Sequence, residues 1–341
     1  MALGRCKRVK KLAARCVILL AGIYSAHAHC EWYSDTQGIM GTEVSITFWH
    51  DDPAQAQQLL ADGMAEMRRL DRELSPWIES SELATLNRLA AKAPQKISSE
   101  MLFLVDKSLY FSHLTHGAFD ITFASVGWFY DYREKKQPSE AQRSALLPAI
   151  NYRWLKLDKT AGTLAYAHDN VRIDLGGIAK GYAVDRVAQL LENAGVRNAT
   201  ISAGGDSQIV GDKRGKPWII GIKNPRDGGK EEAEAAILLP LENTAISTSG
   251  DYERYFIDQK TGERVHHIIN PRTGKSVEGV VSVTILGPRG SDTDPMSTSV
   301  FVLGVEKGLA LVNSLANFEC IIIDKTGKVF YSDGLMPPQQ N

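Results

Sequence analysis

Cysteine is scarce in this chain, with four in 341 residues. That is too few for a disulfide-built scaffold, and with no Cys-x-x-Cys pair there is no support for thiol-redox or zinc-ribbon chemistry. Net charge is nearly absent as well, at −1. A general nucleic-acid binder usually carries a basic excess, so that class is disfavoured. No uninterrupted apolar run reaches 18 residues, which excludes a polytopic membrane protein. There is no repeat, and no Pro/Gly/Ser-rich linker divides the sequence. What is present, 43% hydrophobic and 23% charged residues, is the make-up of an ordinary globular protein.

The near-neutral average hides an uneven distribution. Residues 1–28 hold Arg5, Lys7, Arg8, Lys10, Lys11 and Arg15 and no acid, followed by an apolar stretch from Cys16 to Ala26. Ala26-His27-Ala28 places small residues at −3 and −1 of a cut after Ala28. A basic start, a short apolar core and an A-x-A site form a secretory signal peptide, so the expected location is a bacterial periplasm. An uncleaved inner-membrane anchor is the alternative. Lipid anchoring at Cys30 is not expected, because His29 stands where a lipobox needs a small residue. Cleavage would leave 33 basic against 40 acidic residues, and only Cys30 and Cys320. A bridge between these two is open in an oxidising compartment, and two unpaired thiols, one buried, is the plainer expectation.

Periodicity then sets the elements. Residues 42–49 alternate apolar and polar and read as a strand, and 53–73 carry apolar residues at helical spacing. Shorter helices fit from Ser80 or Ser81 to about 89 and from Ser98 to about 116, and residues 133–147 read as an exposed polar insertion. Strands fit 153–158, 163–167 and 171–175, a helix fits 180–195, and strands fit 199–203, 207–211 and 217–223. A polar loop, 226–234, leads to strands at 235–239, 244–248, 253–257 and 280–286. Helices at 294–304 and 306–315 and a hairpin at 318–323 and 328–332 close the chain. Strands and helices in unequal clusters, without strict βαβ alternation, indicate an α+β fold in one domain.

Four polar, glycine-bearing clusters are candidates for chemistry. In the first, a strand runs into Gly176-Gly177 and then a helix starting near Lys180, a geometry that offers unpaired amides to phosphate. It is neither a Walker A loop nor GxGxxG, and a ligand-free turn fits the same residues. The second, Ser202-Ala-Gly-Gly-Asp206, also reads as a common turn. The third joins Thr244–Asp251 to His266-His267 and Asn270-Pro-Arg-Thr-Gly274; adjacent histidines in a strand face opposite ways, so both cannot serve one site. In the fourth, Asp294 stands as the N-cap of a helix opened by Pro295, with Thr298 on the same side. A carboxylate and a hydroxyl so placed suit a hard cation such as Mg²⁺ completed by phosphate oxygens, and an ordinary Asp cap explains the same pattern.

Together and in order, these segments resemble the ApbE family, the FAD:protein FMN transferases. The resemblance is carried by Asp174–Asp185 (Asp-Leu-Gly-Gly-Ile-Ala-Lys-Gly-Tyr-Ala-Val-Asp), Ser202–Asp206, Ile246–Tyr252, His266–Gly274 and Asp294–Thr298. Met40-Gly-Thr42, Leu74–Trp77 with Ser81, Glu82 and Asn87, and Gly117–Thr122 add to it, over residues 38–334. The resemblance implies one ApbE-like domain of T-fold-like sheets with packed helices, after a signal peptide (1–28) and a short extension (29–37), with a tail at 335–341. It implies Mg²⁺-dependent transfer of FMN from FAD to a threonine hydroxyl of an acceptor protein, with release of AMP. Acceptors of similar proteins are periplasmic-side subunits of sodium-pumping NADH:quinone oxidoreductase and related complexes. By the same resemblance Asp294, Thr298 and the backbone carbonyl of Ala179 hold Mg²⁺, and Lys180 lies by the phosphates. Asp185 takes a ribose hydroxyl or only steadies its helix. Ala118, Phe119, Asp120 and Thr122 match the adenosine side, Met40 and Trp77 the flavin side, and His267 the histidine that assists the acceptor threonine. Trp77 stands where tyrosine is frequent, and Asn270-Pro271 where Asp-Pro is frequent. Two other functions fit the residues: a Mg²⁺-dependent FAD pyrophosphatase yielding FMN and AMP, and a flavin-binding protein without turnover.

Overall fold

The structure is a computed structural model, and it describes residues 31–226 and 235–336. The expected signal segment, Cys30, most of the polar loop and residues 337–341 of the tail lie outside the described residues.

Eight strands form one sheet, in the spatial order Glu31–Ile39, Thr42–His50, Ala199–Ala203, Asp206–Val210, Ala245–Gly250, Val280–Gly287, Glu319–Asp324 and Val329–Tyr331. Every neighbouring pair is antiparallel. Three helices, Pro53–Glu73, Ala179–Asn193 and Gly290–Asn313, lie side by side against it, with Ala179–Asn193 in the middle. The period-two strand Thr42–His50 turns Val44, Ile46 and Phe48 inward. The helix Pro53–Glu73 starts on Asp52, whose carboxylate accepts the Ala54 and Gln55 amides, and buries Leu60, Met64, Met67 and Leu70 against them. This two-layer α+β arrangement is the one its pattern of elements predicts.

Several segments depart from the sequence reading. The sheet takes in Glu31–Ile39, which the reading left largely in an extension. Residues 171–175 are extended but pair with no strand, because the Asn87 side chain stands in for one: it accepts the Ile173 N–H (2.8 Å) and donates to the Ile173 carbonyl (2.9 Å). Part of 133–147 is not an exposed insertion. Residues Glu140–Leu146 form a helix, and the buried Arg143 packs its stem over Gly274. The two helices expected at 294–304 and 306–315 are present within Gly290–Asn313 and meet at the break where Gly304 takes φ +77°, but the first starts four residues earlier, at Gly290. By length and composition this run could cross a membrane; here it is a core helix packed on the central strands.

A second, smaller apolar cluster, Val126, Tyr130, Phe256, Val265 and Ile269, ties the 124–130 segment to the hairpin Tyr255–Ile257 and Arg264–His266. That hairpin delivers the histidine pair to the edge of the main core.

Candidate functional site

The site begins at a helix crossing. A Cβ on Gly181 would stand 2.1 Å from the Gly290 carbonyl oxygen, and one on Gly290 would stand 2.4 Å from that of Gly181. Only two glycines let the helices approach this closely. The approach brings the start of Ala179–Asn193 onto the first turns of Gly290–Asn313. There the Gly181 N–H donates to Asp294 Oδ2 at 3.1 Å, and the Lys180 ammonium lies 3.7 Å from the same oxygen. Asp294 is therefore not the N-cap expected of it. The helix starts earlier, with Pro295 inside it, and Asp185 caps it from the neighbouring helix by accepting the Gly290 and Ser291 amides at 2.6 and 2.9 Å. Freed from capping, the Asp294 carboxylate points into the crossing. Of the two roles open to Asp185, this geometry supplies the helix-holding one.

Strands supply the opposite wall. Asp206, almost wholly buried, forms an ion pair with Lys180. Ser249 Oγ lies 2.8 Å from Ser297 Oγ and 3.5 Å from Thr298 Oγ1. Gly177 completes the enclosure: a Cβ there would meet the Phe119 ring at 3.1 Å and Thr298 Oγ1 at 3.4 Å. Two buried carboxylates thus share one ammonium. Burial and the charge of Asp206 raise the Asp294 carboxyl well above its ordinary range, against the pull of Lys180. The pair in turn holds Lys180 protonated despite its burial.

His267 and His266 diverge as strand geometry requires. His266 is buried, and its Nε2 lies 2.8 Å from the Val277 carbonyl. A carbonyl only accepts, so Nε2 carries the proton and Nδ1 accepts the Ile268 amide. His267 faces the other way, and among the described residues its buried Nδ1 has no hydrogen-bond partner. Burial, then the charge of Arg254, then His266 and Lys180 push its pKa down to about 3, so the imidazole is neutral. Arg254 belongs to this site: its guanidinium also acts on Lys180 and Asp174 and reaches to within 3.3 Å of where a Gly41 Cβ would stand. Arg226 and Arg264 are drawn off to Asp251, and Arg254 is not.

Of the sequence candidates, Ala179, Lys180, Asp294, Thr298 and His267 come together, with Phe119 beside them through Gly177. Met40 and Gly41 form the hairpin turn beside Arg254, both with positive φ (+55° and +69°), a strained conformation for methionine. Ala118 and Thr122 are buried, and Asp120 is occupied internally: Oδ1 accepts from the Thr122 amide and hydroxyl, Oδ2 from the Tyr152 amide. Asp120 thus shapes the segment more than it offers a free carboxylate. Trp77 stands apart and is 68% exposed. Sequence alone marks the segment of Asp206 without giving that residue a role, and it misses Arg254. Gly-Gly-Asp was open to a plain turn, and Arg254 was hidden inside a predicted strand. Two small cavities, about 110 and 160 Å³, lie away from the cluster.

Comparison with known proteins identifies the family. The ApbE family model matches residues 40–322. A FAD:protein FMN transferase of Haemophilus influenzae is 31% identical over 298 residues, covering 84% of this chain and 85% of its own. One of Klebsiella pneumoniae is 32% identical over 308 residues, 86% of each. Among solved structures, the ApbE protein of Thermotoga maritima matches with a TM-score of 0.80 at 30% identity, over 89% of this chain and 98% of that one. The flavin transferase ApbE of Vibrio cholerae matches with a TM-score of 0.79 at 27% identity and the same coverage. The family-model match over residues 40–322, with these identities and this shared fold, places the chain in the ApbE family.

Proposed function

We propose that this protein transfers FMN from FAD to a threonine hydroxyl of an acceptor protein, releasing AMP, with Mg²⁺ as cofactor and in the periplasm. The observation that carries the reading is a neutral His267, its Nδ1 without a hydrogen-bond partner among the described residues, within electrostatic reach of Lys180 and Arg254, with Lys180 in turn beside the carboxylate–hydroxyl set at the crossing. Relatives named FAD:protein FMN transferase support the reaction.

The donor set suits Mg²⁺. Asp294, Thr298, Ser249 and Ser297 offer hard oxygens, and both close contacts of Asp294 fall on Oδ2, leaving Oδ1 for a cation. Two buried carboxylates facing one ammonium also favour added positive charge. Among the described residues no three His, Cys, Asp or Glu side chains group to hold a metal by themselves. Asp294 and Thr298 would therefore hold it together with the Ala179 carbonyl and phosphate oxygens, where it supplies charge neutralisation on the pyrophosphate.

The chain's own residues perform the rest. Lys180 and Arg254 attract the pyrophosphate, and Gly176-Gly177 let backbone approach it. His267 takes the proton of the threonine hydroxyl as that oxygen bonds to the FMN phosphorus. The bond from this phosphorus to the bridging oxygen breaks, and the electron pair leaves with AMP. Bound pyrophosphate offsets the lowering that Arg254 and Lys180 add to that of burial, so the base strengthens when substrate is present. The signal-peptide pattern supports the compartment, and acceptors are expected among periplasmic-side subunits of sodium-pumping NADH:quinone oxidoreductase or related complexes.

The test combines purified protein, FAD and Mg²⁺ with and without such a subunit. After denaturation, flavin fluorescence on the acceptor band together with AMP supports transfer. AMP and free FMN without labelled acceptor would make the protein a pyrophosphatase. FAD bound but intact would make it a carrier.

A further inference from the structure

The first turns of Gly290–Asn313 are rich in hydroxyls, and three of them turn back along the helix. Thr293 Oγ1 donates to the Gly290 carbonyl at 3.4 Å, Ser297 Oγ to the Asp294 carbonyl at 2.8 Å and Ser299 Oγ to the Pro295 carbonyl at 2.6 Å. Such back-bonds are ordinary for serine and threonine inside a helix. Thr298 departs from the pattern. Among the described residues the one partner of its Oγ1 is Ser249 Oγ, on the neighbouring strand, at 3.5 Å. Strand alternation explains the meeting: Ser247 and Ser249 face the helix, Ser247 Oγ lying 2.7 Å from Thr293 Oγ1, while Thr248 turns to Thr284.

Counting protons gives the Thr298 contact a direction. A carbonyl only accepts, so the single hydroxyl proton of Ser297 lies on the Asp294 carbonyl. Ser297 Oγ can then only accept from Ser249 Oγ, 2.8 Å away, and this uses the proton of Ser249. Ser249 Oγ is left to accept from Thr298. The chain of hydroxyls therefore runs one way, from Thr298 through Ser249 and Ser297 to a backbone carbonyl. The Thr298 proton is drawn into the seam, and the lone pairs of its oxygen are left for the other side. There a Cβ on Gly177 would stand 3.4 Å from the same oxygen. Thr298 is half-buried, whereas Ser297 is buried.

We propose that Ser249, backed by Ser297, is a positioning residue for the cation: it holds the Thr298 proton away from the site, so that the Thr298 oxygen meets Mg²⁺ as an acceptor only. The inference rests on the Mg²⁺ reading above and gives Ser249 and Ser297 a role at that site other than direct ligation. A hydroxyl proton facing a cation opposes binding, and turning it away breaks whatever hydrogen bond it made. A hydroxyl already set by its neighbours has nothing to reorganise, which is how groups behind a ligand raise metal affinity.

The experiment measures Mn²⁺ binding to the full chain in the presence of ADP, by loss of the paramagnetic resonance signal of the free ion. Mn²⁺ shares the oxygen-ligand, octahedral chemistry of Mg²⁺, and ADP supplies phosphate oxygens. Ser249→Ala is expected to weaken Mn²⁺ about tenfold, and Ser249→Thr, which keeps the hydroxyl, to stay within about threefold of wild type. Ser297→Ala cuts the chain at its far end and should weaken Mn²⁺ about threefold, which decides the matter even if Ser249→Ala does not fold. In a Thr298→Val background, Ser249→Ala should remove less than about twofold more, because the oxygen it sets is gone. Unchanged Mn²⁺ affinity in either alanine variant overturns the proposal, as does a threonine variant no better than alanine. An equal loss with and without Thr298 also overturns it, by marking Ser249 as structural or as a ligand itself. A wild-type protein that binds ADP but no Mn²⁺ overturns the Mg²⁺ reading together with it.

Discussion

A hydroxyl nucleophile needs a base that is neutral, close and not already engaged, and His267 meets the first and last conditions in the ligand-free chain. Replacing it should remove proton transfer and leave the binding groups intact. His267→Ala is expected to keep FAD affinity and to lose about 10²- to 10⁴-fold in transfer rate, read as flavin fluorescence on the denatured acceptor. Loss of FAD binding instead would assign the imidazole to structure. Residue-scale chemistry was only partly legible. His267, Lys180 and Asp294 stand in segments whose polarity interrupts apolar runs, which is a visible signal. Arg254 gave none, since one arginine in an alternating run looks like a solvated strand face. Asp120, and Asp185 with its helix-steadying alternative, came from the family resemblance alone, since a carboxylate that serves buried amides has the same sequence signature as one that serves a ligand.

At the scale of elements, the close approach of two helices decides where the reacting groups meet. Gly181→Ala would place a methyl 2.1 Å from a backbone oxygen, which cannot rotate away. The helices must separate, and Lys180 and Asp294 with them. The expected result is a loss of about 2–3 kcal/mol of stability in chemical denaturation. Transfer activity should fall further than that loss alone explains at a temperature where the variant is still folded. Wild-type activity in a folded Gly181→Ala protein would show that the crossing does not set the site. The helices Pro53–Glu73 and Ala179–Asn193 were legible from spacing and caps, because their stripes face a single sheet. The start of Gly290–Asn313 was not, because its cap comes from Asp185, 105 positions away in the sequence. Residues 171–175 misled for a similar reason: their backbone partner is a side chain from another helix.

The molecule as a whole answers to acid through opposing groups. Burial lowers the pKa of His266 below its ordinary value. Its folded form resists the proton that the unfolded chain accepts below about pH 6.5, so its contribution is complete above that pH and is lost as pH falls. Burial raises the carboxyls of Asp120, Asp174 and Asp185, and these act oppositely: the folded state protonates first, and stability rises as pH falls through their raised values. His266→Gln keeps a donor for the Val277 carbonyl and removes the titration, together with the ring nitrogen that accepts the Ile268 amide, a loss that lowers stability without changing its pH slope. Between pH 6.5 and 5 its unfolding free energy should decline less steeply than wild type, by up to about 1.4 kcal/mol per pH unit. Parallel curves would show that His266 does not titrate in this range.

The export proposed above would add a demand that the folded structure conceals. A chain delivered to the periplasm through the translocon passes unfolded, and Gly290–Asn313 is long and apolar enough to lodge in the bilayer on the way. Asp292 and Asp294 near its start and the Gly304 break work against lodging, since an aspartate inside an inserting helix costs up to about 3.5 kcal/mol. On that proposed route the Asp294 charge would help its helix stay out of the lipid before it meets any substrate. Asp294→Leu should accordingly shift part of the newly made protein into the membrane fraction, while Asp294→Asn, still polar, should do so less. Equal partitioning of wild type and the leucine variant would confine Asp294 to its role at the crossing.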